Sequence, residues 1–242
     1  MHPALVCLAL AASLSGPRFE HRVFTAHNGV VLPFRLLRPA TGTRGAPLVL
    51  FLHGAGERGS DNEAQLVHGT PFFLQCAEKG AAVVIPQCPS GGWWSNLDWR
   101  TSKMGSRPSP AGAAVLQMLG VLVRELGADR DRVVIGGLSM GGFGTFDLVA
   151  RRPKTFAAAF PICGGGDPRT SARLKDVPFW VFHGAKDPVV PVQASRTMVE
   201  AIRAAGGEVR YTEYPEAQHD SWTLAFQEPG LVDWLLSQRR KH

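Results

Sequence analysis

The chain has 242 residues, 45% of them hydrophobic and 19% charged, with a formal net charge of +6. That length suits one large α/β domain with a substantial core, and the composition excludes a disordered or fibrous chain. The positive charge is spread out: the compact basic groups, Arg151-Arg152 and Arg239-Arg240-Lys241, are not interleaved with aromatics. They read as solvated helix ends, and no nucleic-acid partner is implied.

Taken in chain order, residues 4–14 come first as an apolar stretch of signal-core length, followed by the small residues Ser15 and Gly16. The stretch is too short to span a bilayer, so no stable membrane insertion is expected. Residues 1–16 read as a signal peptide and residues 17–242 as one catalytic domain, which makes the protein secreted or periplasmic. The n-region holds His2 and no Lys or Arg, which leaves an unpacked N-terminal tail and a cytoplasmic location open. Removing the segment takes Cys7 with it and leaves Cys76, Cys88 and Cys163. An odd count permits at most one internal disulfide; the pairing is open, and buried free thiols are favoured.

Residues 19–26 and 30–38 are extended runs joined around Asn28-Gly29, a strong hairpin signal. Short apolar runs then follow at 48–52, 82–85, 133–135, 157–162, 179–182 and 209–214. Between them lie helix-length segments, expected as helices at 64–79, 110–126, 142–151, 192–205 and 229–239. Such alternation specifies a mostly parallel central sheet with an antiparallel N-terminal hairpin and helices on both faces, the α/β class.

The chemistry centres on Gly137-Leu138-Ser139-Met140-Gly141, a Gly-x-Ser-x-Gly segment directly after Val133-Val134-Ile135. A sharp strand-to-helix turn that exposes a serine leaves no room for side chains two positions before or after it. In an open α/β sheet the functional groups gather at the carboxyl ends of strands. There the sequence supplies Asp187 after run 179–182 and His219 after run 209–214. With Ser139 they give a nucleophile, an acid and a base in the order Ser, Asp, His. Asp220 is a rival acid, but as the neighbour of His219 it is poorly placed to reach that ring's Nδ1. His53 and His183 end strands and are expected to form hydrogen bonds. Despite eight histidines, neither His-Glu-x-x-His nor Cys-x-x-Cys spacing occurs, so no metal or other cofactor is assigned. Gly164-Gly165-Gly166 lacks the Lys-Ser/Thr of a phosphate loop and reads as a turn.

The segments 52–62 (Leu-His-Gly-Ala-Gly-Glu-Arg-Gly-Ser-Asp-Asn), 86–89 (Pro-Gln-Cys-Pro), 137–145, 161–167 (Pro-Ile-Cys-Gly-Gly-Gly-Asp) and 187–191 (Asp-Pro-Val-Val-Pro) carry a family resemblance. Together they resemble the α/β-hydrolase superfamily, within it the esterases close to carbohydrate esterase family 1 and dienelactone-hydrolase-like proteins. They look like those of bacterial secreted carboxylesterases of the predicted-peptidase type. The resemblance implies an α/β-hydrolase fold, a triad of Ser139, Asp187 and His219, and an oxyanion loop at His53-Gly54-Ala55-Gly56. The oxyanion donors are then the backbone N–H groups of Met140 and Ala55.

The reaction expected is hydrolysis of carboxylic esters, short-chain or aromatic and feruloyl-type, through an acyl-enzyme. A serine peptidase or polyester depolymerase is the alternative, and a non-catalytic binding module of the same fold stands outside enzymology. The partner expected is a small-molecule or polymer-attached ester. Trp94, Phe143 and Trp222, near Trp93 and Trp99, are candidate substrate-binding aromatics, although packing is the commoner use of such residues. No long lid insertion is visible between residues 157 and 180. Oligomeric state is left open.

Overall fold

The apolar runs become the strands of one eight-stranded sheet in a computed structural model that describes residues 18–98 and 101–240. The expected signal segment, Cys7 and Trp99 lie outside the described residues. In chain order the strands are β1 (Phe19–Thr25), β2 (Val31–Leu37), β3 (Leu48–Leu52), β4 (Ala82–Pro86), β5 (Leu97–Asp98), β6 (Lys103–Met104), β7 (Val133–Leu138), β8 (Ala158–Ile162), β9 (Phe179–Gly184) and β10 (Val209–Tyr214). The helices are α1 (Thr70–Glu78), α2 (Pro110–Leu126), α3 (Met140–Arg151), α4 (Ser171–Leu174), α5 (Gln193–Ala204), α6 (Trp222–Ala225) and α7 (Leu231–Ser237).

The sheet order is β1-β2-β4-β3-β7-β8-β9-β10. β2 pairs antiparallel with β1 and β4, and the remaining pairs are parallel. The N-terminal hairpin thus forms as expected. Its turn at Asn28-Gly29 is wider than two residues: Ala26 N–H donates to Val30 O, Val30 N–H to Asn28 Oδ1, and Gly29 takes φ +81°.

Burial on both faces explains the unbroken apolar runs of the central strands. Along β3, Leu48, Leu50 and Leu52 enter one core layer with α2, α3 and α5, whereas Val49 and Phe51 enter the other with α1 and α7. α2 illustrates the local logic. Ser109 accepts the Gly112 N–H as its N-cap, Pro110 supplies a preset φ, and Gly127 ends the helix at φ +61°. Its buried stripe, Ala111, Ala114, Val115, Met118, Leu119 and Leu122, recurs at three- and four-residue spacing.

Two expected helices are shorter than their patterns. The segment 64–79 splits into a 3₁₀ turn at Ala64–Leu66 and α1, because Gly69 takes φ +89° and Pro71 favours a fresh start. The segment 229–239 narrows to α7 after Gly230 at φ +78°. α4, α6 and the β5–β6 ribbon were not foreseen, since two to four residues carry no usable periodicity.

The β7–α3 junction sets the site. A single residue, Ser139, separates strand from helix, at φ +51° and ψ −116°, a conformation disfavoured for any side chain. Its N–H donates to Ile162 O over 2.9 Å, which holds the turn against β8. A methyl group on Gly141 would fall on the carbonyl oxygen of Leu52, and one on Gly137 would come within 2.5 Å of Gly141 O. α3 therefore begins two residues earlier than the sequence pattern suggested, directly against the end of β3.

Cys76, Cys88 and Cys163 are free and buried, as favoured above. Burial pushes the thiols of Cys76 and Cys88 up to about 12 and that of Cys163 higher still.

Two outcomes follow from this packing. Gly141→Ala should cost about 3 kcal/mol of stability, since backbone on both sides must yield; denaturant unfolding measures it, and a loss below about 1 kcal/mol would contradict the close approach. A thiol reagent at mildly alkaline pH should leave Cys76, Cys88 and Cys163 unmodified in the native protein and label all three once it is unfolded, as peptide mapping can read.

Candidate active site

From β3 the chain steps outward to β4 and later returns past β3 to β7, so a crevice opens at the carboxyl ends of β3 and β7. Four loops meet there: residues 53–58 after β3, the Ser139 turn after β7, the Asp187 loop after β9, and the His219 loop after β10. Three of the sequence-predicted residues come into hydrogen-bond contact. His219 Nδ1 is 2.7 Å from Asp187 Oδ2, and His219 Nε2 is 3.0 Å from Ser139 Oγ.

The geometry assigns protons. A carboxylate only accepts, so Nδ1 donates to Asp187 and Nε2 is the nitrogen free to take the serine proton. The Asp187 side chain is fully buried, and its other oxygen accepts the N–H groups of Val189 (2.8 Å) and Val190 (2.9 Å). A buried carboxylate needs such partners to stay ionised. Asp220 is exposed and its carboxylate does not hold the imidazole; Asp187 does.

The loop after β3 is fixed by buried polar groups. His53, 1% exposed, accepts the Cys88 N–H at Nε2 (2.9 Å) and donates from Nδ1 to Gly54 O (2.6 Å). Desolvation pushes its pKa down to about 4, so the ring is neutral near pH 7 and can accept at Nε2. Arg58 Nε donates to Ala55 O, and Gln87 Nε2 to Glu57 O. Gly54 leaves no room for a side chain between Leu138 and Glu57. The expected oxyanion residues thus sit on a braced turn, while Met140, opening α3, has a backbone N–H that the helix itself cannot pair.

Of the three aromatics expected to bind substrate, only Trp222 has an open position. Its ring meets that of His219 edge-on, centroids 5.4 Å apart, and that of His68 at 5.1 Å. Trp94 is a correction: it is fully buried and donates from Nε1 to His53 O, so it supports the loop behind the site. Phe143, 5% exposed, packs against Gly165 and is likewise core. Sequence reasoning missed His68 and Glu57. His68 lies in a turn ahead of α1 with no periodic signal, and its Nε2 is 3.6 Å from Glu57 Oε1. Glu57 Oε2 is buried without a hydrogen-bond partner. Beside this corner runs a cleft of about 610 Å³ whose walls include His68, Gly69, Phe72, Gln75, Trp222 and Phe226. The connection from β8 to β9 holds only a 3₁₀ turn at Pro168–Thr170 and α4.

Among the described residues, one group of His, Cys, Asp and Glu side chains is close enough to share a cation: Cys163, Asp187 and His219, with ligand atoms within 4.8 Å of one another. Two of these are already bonded to each other, and burial keeps the Cys163 thiol protonated. As arranged, the His219 Nε2 lies within hydrogen-bond reach of the Ser139 hydroxyl proton.

Residues 40–228 match the phospholipase/carboxylesterase family of α/β-hydrolases. Carboxylesterase SOBER1 of Arabidopsis thaliana is 26% identical over 218 residues, spanning 80% of this chain and 90% of that protein. Acyl-protein thioesterase 1 of Neurospora crassa is 24% identical over 242 residues, 84% of this chain and 91% of that one. The solved structure of a thermostable esterase superposes on 92% of the chain with a TM-score of 0.84 and 39% identity, and the chain spans 63% of that structure's length. The fold is the α/β-hydrolase fold that the sequence pattern implied, and the chain belongs to the phospholipase/carboxylesterase family, as an enzyme that hydrolyses esters.

Proposed function

We propose that this enzyme is a serine carboxylesterase working through an acyl-enzyme, with Ser139 as nucleophile, His219 as base and Asp187 as the acid that orients it. The observation that carries the reading is the single imidazole bonded to Asp187 at one nitrogen and to Ser139 at the other. A serine hydroxyl is a weak nucleophile near neutral pH. As Ser139 Oγ attacks the ester carbonyl, His219 Nε2 takes its proton, and the buried Asp187 carboxylate stabilises the resulting imidazolium. The tetrahedral oxyanion lies against the N–H groups of Met140 and Ala55; losing one such donor typically costs on the order of 3 kcal/mol in the barrier. His219 then protonates the leaving alkoxide, and water repeats the sequence to release the acid.

For substrate we favour esters of short or aromatic acids. Trp222 offers an apolar face beside His219, and the cleft beyond it has room for a modest group. A secreted bacterial esterase near carbohydrate esterase family 1 is the setting we infer, resting on the segments quoted above and on the apolar stretch at residues 4–14. Small or polymer-attached esters are then its partners.

The reading is tested on p-nitrophenyl acetate and butyrate and on a feruloyl ester. Wild type should turn over at least one, and Ser139→Ala should lower kcat by about 10⁴-fold or more. Equal activity in the two would remove Ser139 from the mechanism. Because His219 acts only when neutral, kcat/KM should fall about tenfold per pH unit on the acid side as that ring protonates. A flat profile from mildly acidic to neutral pH would contradict the assignment.

A further inference from the structure

A second imidazole lies on Asp187. His183, in β9, is fully buried; its Nε2 is 2.9 Å from Val190 O and 3.3 Å from Asp187 Oδ2. Both neighbours are acceptors, so Nε2 carries the proton. Nδ1 is 2.7 Å from Ser195 Oγ in α5, which is itself 2.8 Å from Gly164 O after β8. Ser195 Oγ donates to that carbonyl and stays in hydrogen-bond contact with Nδ1. Burial pushes the His183 ring below the ordinary histidine value. The other titratable groups around it are accounted for. His219 shares Asp187, Glu213 on β10 is taken up by Arg196 and Tyr211, and the Cys163 thiol lies by Asp187.

We infer that His183 is a positioning residue for the carboxylate that holds His219: it ties the end of β9 to Val190 and sets the positive edge of that same N–H 3.3 Å from the oxygen that faces His219. The inference rests on the serine-esterase reading and adds a fourth member behind it. Two consequences follow for Asp187. Its loop is closed from within, by its own Oδ1 on the Val189 and Val190 N–H groups and by His183 on the Val190 carbonyl. Its Oδ2 charge is divided between two imidazoles, which restrains how strongly it stabilises a protonated His219. Without the His183 donor the carboxylate would hold the imidazolium more tightly, and His219 would be withdrawn from use as a base at a higher pH. His183 is buried behind the triad, so substrate affinity should change little.

The variants His183→Gln, His183→Asn and His183→Leu separate this role from packing. A glutamine amide can place an N–H where the histidine Nε2 stands; asparagine is too short, and leucine has no donor. Each is assayed for kcat, KM and the pH dependence of kcat/KM on p-nitrophenyl acetate, per serine titrated with an organophosphonate. Leu and Asn should lower kcat about tenfold or more with KM within about twofold, and should move the acid limb upward by about half a pH unit. Gln should stay within about fivefold of wild type and keep its limb. An unshifted limb in Leu and Asn, or Gln failing as they do, overturns the inference. Should Leu not fold, Asn alone decides it against Gln. Ser139→Ala is run alongside: if it stays active the esterase reading falls, whereas if it is dead and the His183 variants share the wild-type profile, only this inference falls.

Discussion

The carbonyl oxygen of Leu52 occupies the space that any side chain at residue 141 would need, and much of the site depends on that close approach. It lets α3 start against the end of β3 with one strained residue, Ser139, between strand and helix. The strain is sustained because both flanks are over-determined. Ser139 N–H is held by Ile162, and Gly137 and Gly141 fill positions where only glycine fits. One consequence is geometric: the unpaired N–H at the start of α3 and the braced loop after β3 are brought beside the same hydroxyl.

Around that hydroxyl the electrostatics are divided by burial. Asp187 is sealed from solvent and supplied with donors, while His219 keeps 20% of its side chain exposed and can exchange protons with substrate and water. His53 and His183 are buried, and each spends both ring nitrogens on hydrogen bonds to named partners. The same residue type thus lies open to the crevice at one position and holds backbone at two others.

The contact of Ser139, His219 and Asp187 was legible in the sequence because each of them follows a segment readable as a strand, and topology then brings strand ends together. Asp187 was separable from Asp220 by chain geometry alone. The substrate aromatics were not legible. Trp94 and Trp222 look alike in sequence, but one lies under the β3 loop with its indole N–H spent on His53 O, and the other faces the crevice. That distinction depends on which side of a loop a ring falls, which no local pattern encodes. His68 and Glu57 escaped for a related reason: a turn ahead of α1 and a loop after β3 meet only in three dimensions.

The cleft beside Trp222 is walled by the helix layer of α1, α6 and α7, whereas α3 packs into the opposite layer with α2 and α5. The sheet lies between them and acts as a partition. The walls of the cleft and the helix that follows Ser139 therefore belong to different cores. Leu138 and Ile162, which flank Ser139, nevertheless share the cleft-side core with Phe72 and Phe226, so a change of size in the cleft walls reaches the Ser139 turn through the sheet and not through α3.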